Sequence, residues 1–382
     1  MLQIQKRNGT LVPFDRQKII NAVNKALIEV DGQLYEDDTA KDIAKEIEDA
    51  MYDLDEEKAT AVSVEDIQDM VEDELMQSER RDVARAYIRY RYKQEVQREH
   101  EAIFIAPIRE KLEARNVQNQ NANVDEHSFG GRLGEAAEVM TKEYAFDYII
   151  SKKSRENHMN NEIYIHDAGS YAVGSHNCLS LPIEPLMENG FNTIQTDVRP
   201  ANSISTFFQL LAVLFQLQSL QQFGGVSATH LDWSAVPYVR KSFKKHLIEG
   251  FKYIARGDKY IKDLLASGKE ISIVDSYIKE NYPKTYEYAY DMTEKETKQA
   301  VEGMYHNLNT LQSRSGNQLP FTSINYGTCT LPEGRMVIKA LLEGSLAGVG
   351  RFHNTTIFPC GIFQCMKGVN LEEGDPNYDL FI

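Results

Sequence analysis

The sequence contains few cysteines and no close pair of them. Its 382 residues include four cysteines, at positions 178, 329, 360 and 365, and a single tryptophan. No two cysteines stand in a C-x-x-C arrangement, which argues against a zinc knuckle, a zinc ribbon and a disulfide-stapled secreted fold. Free thiols are typical of a reducing compartment, so we expect a cytoplasmic protein without a metal site in this sequence.

The sequence also lacks an excess of positive charge and a long apolar run. A formal net charge of −15 argues against nonspecific binding to nucleic acid or to an anionic membrane. The most apolar stretch, Phe207 to Leu217, contains Gln209 and Gln216 and is too short to span a bilayer. Met1 to Thr10 has no apolar core of the kind found in a signal peptide. Any site for phosphate must therefore be local.

One local concentration of cations stands at the N-terminus, in QIQKRNGTLVPFDRQKIINA, from Gln3 to Ala22. The pattern predicts two short strands around an Asn8-Gly9 turn, followed by a helix capped by Asp15. This arrangement would bring together Lys6, Arg7 and Lys18. A helix N-terminus flanked by cations is suited to an anion such as phosphate, although a solvated basic hairpin would show the same spacing.

Helical periodicity continues through the first hundred residues. Apolar stripes at 19–30 and 43–54, a capping-box-like start at Ser63 and Asp66, and a last helix from about Glu79 predict four amphipathic helices under a small β-cap. With the basic hairpin, this stretch resembles the ATP-cone, a regulatory nucleotide-binding domain of many ribonucleotide reductases. We therefore expect an ATP-cone over residues 1–95. The resemblance implies that ATP or dATP is bound by Lys6, Arg7, Phe14, Lys18, Ser63 and Lys93.

The amino-acid composition of the chain changes after the predicted cone. Residues 96–125 are polar and rich in Asn and Gln, which predicts a linker. From 126 to 382, strand-like segments alternate with helices, which favours an α/β domain with a largely parallel sheet. The predicted elements are a strand at NEIYIHD (161–167), a helix from Ser205 to Phe223, a long helix after Pro237, and strands within FTSINYGTCT and RFHNTTIFPCGIF.

Cys178 is the candidate reactive residue of this second region. Taken alone, a cysteine is more often a small buried apolar residue than a reagent. However, the segment around it, together with HDAG (166–169), SRSGNQLPFTSINYGTCT (313–330) and GRFHNTTIFPCGIFQ (350–364), resembles the anaerobic, glycyl-radical ribonucleoside-triphosphate reductases. That family has a ten-stranded α/β barrel of two antiparallel half-barrels. The resemblance implies that this chain comprises the cone and the first half of the barrel.

The resemblance also implies a chemistry, the reduction of ribonucleoside triphosphates to deoxyribonucleoside triphosphates by a radical route. Cys178 matches the strand cysteine that protonates the departing 2′-hydroxyl, because loss of water is easier than loss of hydroxide. Formate is the reductant that the resemblance favours. The residues expected to contact the substrate are His166, Asp167, Asn177, Ser323, Asn325 and Thr328.

Other parts of the family's machinery have no match in this sequence. The thiyl-forming cysteine, the glycyl-radical segment and a zinc site would follow Ile382, and a radical-SAM activating enzyme would act on the longer protein. We therefore expect these 382 residues to be inactive by themselves.

The helices within about 203–267 match the family's dimerisation helices, so a homodimer or higher oligomer is expected. A specificity-setting dNTP would bind at their end, with Asn202, Ser203, Gln209, Gln216 and Lys245 as candidate ligands.

Three other interpretations stay open. The chain could be a noncatalytic, nucleotide-sensing and dimerising module. An ATP-cone transcriptional repressor would need a zinc ribbon, which the cysteine spacing does not provide. A different glycyl-radical enzyme, such as a relative of pyruvate formate-lyase, would need an adjacent cysteine pair that is missing here.

Overall fold

The computed structural model describes residues 3–33, 38–58, 62–113, 128–174, 176–254, 259–268, 270–314 and 317–382. The chain divides into two compact units, Met1–Pro107 and Ile108–Ile382. Each unit has its own hydrophobic core. The division falls inside the segment predicted as a linker, whose described part is helical up to Glu113.

The first unit packs helices against a small sheet. Strands β1 (Gln3–Gln5), β2 (Leu11–Pro13) and β3 (Val62–Ser63) are ordered β2-β1-β3. The β1–β2 pair is antiparallel and the β1–β3 pair is parallel. The helices are α1 (Arg16–Asp31), α2 (Thr39–Lys58), α3 (Val64–Gln77) and α4 (Arg81–His100), which continues through a π-helical turn (Glu101–Ile105) into α5 (Ala106–Glu113). The sequence did not reveal β3, which is only two residues long.

Local capping explains where α1 and α3 begin and end. The Asp15 carboxylate accepts a hydrogen bond from the Gln17 N–H at 3.1 Å, which satisfies a free donor at the start of α1. Gly32, with φ of 77°, ends α1 in the left-handed conformation that favours glycine. Ser63 and Asp66 form the capping box predicted for α3.

The hairpin between β1 and β2 differs in detail from the predicted two-residue turn. Lys6 N–H bonds to Thr10 O at 2.9 Å, and Gly9 N–H bonds to Lys6 O at 2.8 Å. The loop therefore has three residues, with only Gly9 at a positive φ, of 78°. A turn followed by one left-handed residue is a common solution for a loop of this length.

The second unit is a mixed α/β structure. Its strands are β4 (Leu179–Ser180), β5 (Phe191–Asn192), β6 (Asp197–Val198), β7 (Val226–Ala228), β8 (Thr322–Tyr326) and β9 (Cys360–Phe363). Its helices after α5 are α6 (Phe129–Tyr144), α7 (Lys152–Met159), α8 (Ala168–Tyr171), α9 (Ile183–Asn189), α10 (Ile204–Ser219), α11 (Leu231–Ser234), α12 (Val236–Tyr253), α13 (Lys259–Ala266), α14 (Ser276–Asn281), α15 (Pro283–Thr310), α16 (Pro332–Ala347) and α17 (Tyr378–Phe381).

The main sheet is parallel, as predicted. Its order is β4-β7-β8-β9, and each neighbouring pair runs in the same direction. Alternate residues of β7 and β8, including Val226, Ala228, Ile324 and Tyr326, belong to the buried core. The residues between them lie on the opposite, more exposed face.

Three sequence predictions in this unit were wrong: one strand is absent, and two helices end earlier than expected. NEIYIHD forms no strand, because Asn161 and Asp167 take left-handed conformations, with φ of 60° and 55°, that break extended pairing. The helix predicted from Ser205 to Phe223 ends at Ser219, four residues early. The long helix after Pro237 ends at Tyr253, and α13 is a separate helix.

Helix α15, which the sequence analysis did not predict, lies at the centre of the helical layer and contacts its main helices. It is 28 residues long, and both α10 and α12 pack mainly against it. Phe207 and Phe208 of α10, with Phe243 of α12, are among the largest fully buried side chains.

Candidate functional site

The first unit contains a cavity of about 460 Å³ beside the hairpin. Its walls come from β1, β2, α1, α3 and α4, and they are mainly aliphatic, with two aromatic side chains, Phe14 and Tyr87. The predicted cations Lys6, Arg7 and Lys18 all line it. A largely apolar pocket with cations at the first turns of a helix suits a ligand that has a flat base and a phosphate tail.

The three cations differ in how far they are already neutralised. Arg7 forms an ion pair with Glu65, and its Nη2 also donates to Gln68 Oε1 at 3.2 Å. The hydrogen bond from Arg7 lowers the pKa of Glu65 below its usual value, although burial opposes the shift. Lys18 Nζ lies 3.9 Å from Asp15 Oδ2, a weak contact between exposed groups. Lys6 makes no side-chain hydrogen bond or ion pair with the described residues.

Two residues predicted for this site lie outside the cavity lining. Ser63 is engaged as the cap of α3, accepting from Asp66 N–H and donating to Asp66 Oδ2 at 2.8 Å. Lys93 is exposed on α4. Tyr87 of the same helix lines the cavity instead, and burial raises the pKa of its hydroxyl to about 12. Tyr87 therefore stays protonated at neutral pH and can act as a donor.

In the second unit, small polar side chains form a row across the sheet. The register pairs Ser180 of β4 with Ser227 of β7, Ser227 with Ser323 of β8, and Ser323 with Cys360 of β9. Ser180 Oγ and Ser227 Oγ are hydrogen bonded at 2.6 Å. Since side chains alternate along a strand, Cys178 and Asn325 lie on this same face. We call this surface, defined by Cys178, Ser180, Ser227, Ser323, Asn325 and Cys360, the polar face.

Cys178 stands at one edge of the polar face, just before β4, and is exposed. Its thiol donates to Asn177 Oδ1 at 3.5 Å. Asn177 packs directly against Gly224, where any side chain would clash with it. This glycine lets the chain before β7 approach the Cys178 segment closely.

The other cysteines have different surroundings. Cys329 is fully buried, and burial raises the pKa of its thiol to about 11. Its sulfur packs against Gly334. Such a thiol is inert compared with an exposed one. Cys360 and Cys365 are exposed.

His166 and Asp167 lie near the start of the Cys178 segment. The His166 ring contacts the Asp167 carboxylate and meets the edge of Phe223 at a centroid distance of 6.4 Å. Phe223 N–H in turn bonds to His176 O at 3.3 Å. Through these contacts the predicted residues His166, Asp167 and Asn177 share one neighbourhood with Cys178.

Thr328 has a different environment from Ser323 and Asn325. It is buried, and its hydroxyl accepts from Trp233 Nε1 at 3.0 Å. The fully buried Asp232 accepts from the N–H groups of Gly327, Thr328 and Cys329 at 2.8–3.0 Å. Thr328 therefore belongs to a loop after β8 that Asp232 holds, and its hydroxyl accepts from Trp233 but keeps a proton to donate.

The five residues proposed for a specificity site do not form one cluster. Asn202 and Ser203 lie at the start of α10, where Ser203 caps the helix and Asn202 accepts from Thr206 Oγ1 at 3.0 Å. Ser242 of α12 accepts from Ile204 N–H at 3.0 Å, so Lys245 lies about one turn from this end and pairs with Glu296 at 3.7 Å. Gln209 is farther along α10, and Gln216 lies about 20 Å from Ser203 at 1.5 Å per residue.

Both units match models of known protein families. The family model described as "Anaerobic ribonucleoside-triphosphate reductase" matches residues 120–382, and the ATP cone domain model matches residues 2–96. The chain belongs to the anaerobic ribonucleoside-triphosphate reductase family. This confirms the resemblance carried by the Cys178, 313–330 and 350–364 segments and by the N-terminal hairpin.

Individual relatives agree with this family. The anaerobic ribonucleoside-triphosphate reductase of Haemophilus influenzae is 29% identical over 98% of this chain and 49% of its own length. The Escherichia coli protein of the same name is 27% identical over 99% of this chain and 48% of its own. The chain thus spans about half the length of the curated relatives it matches. A solved structure, the Thermotoga maritima anaerobic ribonucleotide reductase with dATP in the specificity site, is 14% identical, with a TM-score of 0.44 over 76% of this chain and 47% of that one.

The structure places three residues at the candidate sites that the sequence analysis did not single out, namely Ser180, Ser227 and Tyr87. Ser180 carried a usable signal, since it follows Cys178 by two positions and so shares its face. No signal in the sequence indicated Ser227 or Tyr87. Strand β7 has only three residues, and Tyr87 fits the apolar pattern of α4 like its other buried positions. Within the described ranges no helix is long and apolar enough to cross a membrane, and no group of three His, Cys, Asp or Glu side chains could hold a metal ion.

Proposed function

We propose that this chain forms the nucleotide-binding and proton-donating part of an anaerobic ribonucleoside-triphosphate reductase. The observation that carries the proposal is the polar face, where an exposed thiol stands at the edge of a row of hydroxyl groups. Ser180, Ser227, Ser323 and Asn325 offer both donors and acceptors, as needed to orient a ribose and its phosphates.

Cys178 acts on the 2′ position in this proposal. Its thiol proton passes to the 2′-oxygen as the C2′–O bond breaks, so that the group leaves as water instead of hydroxide. Asn177, whose amide oxygen accepts from the thiol at 3.5 Å, holds the sulfur toward the polar face. Gly224 maintains this arrangement by leaving room for Asn177.

The cone supplies regulation in the same proposal. The cavity beside the hairpin receives ATP or dATP, with the adenine between aliphatic walls and the triphosphate at Lys6, Arg7 and Lys18. The apolar lining and the cations at the start of α1 support this orientation.

The remaining family features are also proposals. The parallel β4-β7-β8-β9 sheet is the part of a ten-stranded half-barrel pair that this chain contributes. Formate is the reductant, and the glycyl radical, the zinc site and the action of a radical-SAM activating enzyme belong to a longer protein. The free thiols favour a cytoplasmic location. A homodimer assembles through α10 and α12, with a dNTP near Asn202, Ser203 and Lys245.

The test replaces Cys178 by serine in the full-length reductase, activated anaerobically and assayed for dCTP formation from CTP. Serine keeps the shape but is a far weaker acid, so reduction is expected to fall about 10³-fold, within the range of roughly 10²–10⁴-fold that one acid–base group contributes. Cys365→Ser, at an exposed thiol that is not part of the polar face, is the matched control and is expected to retain activity. Activity of Cys178→Ser near that of the parent protein would remove Cys178 from the chemistry. CTP binding without any reduction by the activated parent would favour the noncatalytic module.

A further inference from the structure

Arg314 is a buried arginine whose charge is not fully partnered. It is only 9% exposed, yet its Nη1 has no hydrogen-bond partner among the described residues. The residue precedes β8, and its backbone N–H bonds to Gln318 O at 3.1 Å. This hydrogen bond holds the Arg314 backbone in place, and its Nη1 remains a buried donor.

The guanidinium lies over the polar face. Its carbon is 3.9 Å from the centre of the Phe321 ring. Phe321 immediately precedes β8 and accepts from Val226 N–H at 2.8 Å, while Gly225 accepts from Leu179 N–H at 3.0 Å. The register thus aligns Phe321, Gly225 and Cys178 in one row, with side chains on the same face.

The spacing in this row leaves room for a ligand. Two strand spacings of about 4.8 Å separate the Phe321 and Cys178 backbones by about 10 Å. The intervening residue, Gly225, has no side chain, and the nearest atom to a Cβ built there is 3.7 Å away. A small group between the guanidinium and the thiol would meet no side chain at position 225.

The electrostatic surroundings of Arg314 favour an anionic ligand. Burial lowers the pKa of Arg314, and the nearby Asp167 and Cys178 only partly oppose that shift. Asp167 is itself engaged by His166. A buried guanidinium without a bonded counter-ion is unfavourable, and arginine binds carboxylate and phosphate groups through paired N–H donors.

We propose that Arg314 binds an oxyanion on the polar face beside Cys178. The anion is either a phosphate group of the nucleotide or the carboxylate of a small organic acid that serves as reductant. This inference rests on the proposed function, since it assigns a ligand group to the same site.

The experiment compares Arg314→Gln and Arg314→Lys with the parent chain. Arg351→Gln is the matched control, because Arg351 also lies over a phenylalanine ring, at 6.0 Å, but is exposed. CTP binding is measured by calorimetry, and binding of sodium formate by saturation-transfer NMR. Melting temperature without added anions reports folding.

The expected result identifies the source of the anion. If the anion is phosphate, Arg314→Gln lowers CTP affinity at least tenfold and leaves formate unaffected. If it is carboxylate, saturable formate binding disappears while CTP binding is unchanged. Arg314→Lys, which keeps the charge but loses the paired donors, is expected to show a smaller loss and to guard against misfolding of the glutamine variant. Arg351→Gln behaves as the parent.

Other outcomes overturn the inference. Parent-like binding of both CTP and formate by Arg314→Gln overturns the role of Arg314 alone and leaves the proposed function standing. If the parent chain binds neither CTP nor formate, both the inference and the proposed function are overturned. A lower melting temperature for both Arg314 variants, with unchanged binding, shows a structural arginine and also contradicts the inference.

Discussion

At the scale of single residues, the three cations of the cone cavity differ in whether an acidic side chain already neutralises their charge. Lys6, Arg7 and Lys18 all line the cone cavity. Arg7 shares Glu65 with Arg91, which also binds Asp69 and Glu72 at 2.6 and 2.9 Å. A phosphate would have to compete with Glu65 for Arg7, whereas Lys18 has only a weak contact with Asp15. Lys18, which also lies in the first turn of α1, is therefore more informative to remove than Arg7.

Lys18→Ala is expected to weaken ATP and dATP binding at least tenfold, about 1.4 kcal/mol, because it removes a cation from the first turn of α1. Calorimetry on the chain measures the change. Lys25→Ala is the control, since Lys25 is exposed on the same helix and does not line the cavity. Equal affinities for all three proteins would rule out the triphosphate orientation proposed for the cone.

At the scale of elements, α10 shows why an apolar helix cannot be assigned to an interface from its sequence. Leu214 is 7% exposed and belongs to the core of the second unit. Leu217, three residues later, is 37% exposed, and Leu220 is also exposed. Only the second group is available to a partner. The apolar pattern alone did not separate the two groups, because it did not reveal α15, against which the buried side packs.

Leu217→Glu is expected to weaken the proposed dimer, because a two-fold axis places the new charge opposite its own copy. Sedimentation velocity measures the change from dimer to monomer, with an unchanged melting temperature showing that the fold is intact. Leu346→Glu, at a leucine that is 88% exposed on α16, should leave the dimer unaffected. A parent chain that sediments as a monomer at all concentrations would contradict the interface.

At the scale of the whole molecule, the features that depend on residues close together in the chain could be predicted from the sequence. The caps of α1 and α3 lie within three residues of the helices they start, so both starts were predictable. The parallel sheet followed from the alternation of strands and helices. The row of Ser180, Ser227 and Ser323 could not be predicted, because it depends on the register between strands 47 and 96 residues apart. NEIYIHD was mistaken for a strand because its alternating pattern does not reveal the left-handed Asn161 and Asp167.

The two sites also differ in how completely the sequence predicted them. The cone cations and Phe14 were found because they belong to one contiguous motif. On the polar face, Cys178, Ser323 and Asn325 came from a family resemblance, whereas Ser227 and Arg314 emerged only when β7 and β8 were seen side by side.

The most direct test of the account asks whether a nucleotide covers Cys178. The chain is treated with iodoacetamide at pH 8 with ATP present, with and without saturating CTP, and alkylation of each cysteine is followed by mass spectrometry. We predict that CTP slows alkylation of Cys178 at least tenfold and leaves the exposed Cys365 unchanged. Cys329 should not react in either case, because it is buried and its pKa is raised to about 11. Equal alkylation of Cys178 with and without CTP, at concentrations where calorimetry shows CTP bound, would contradict the assignment of the polar face as the substrate site.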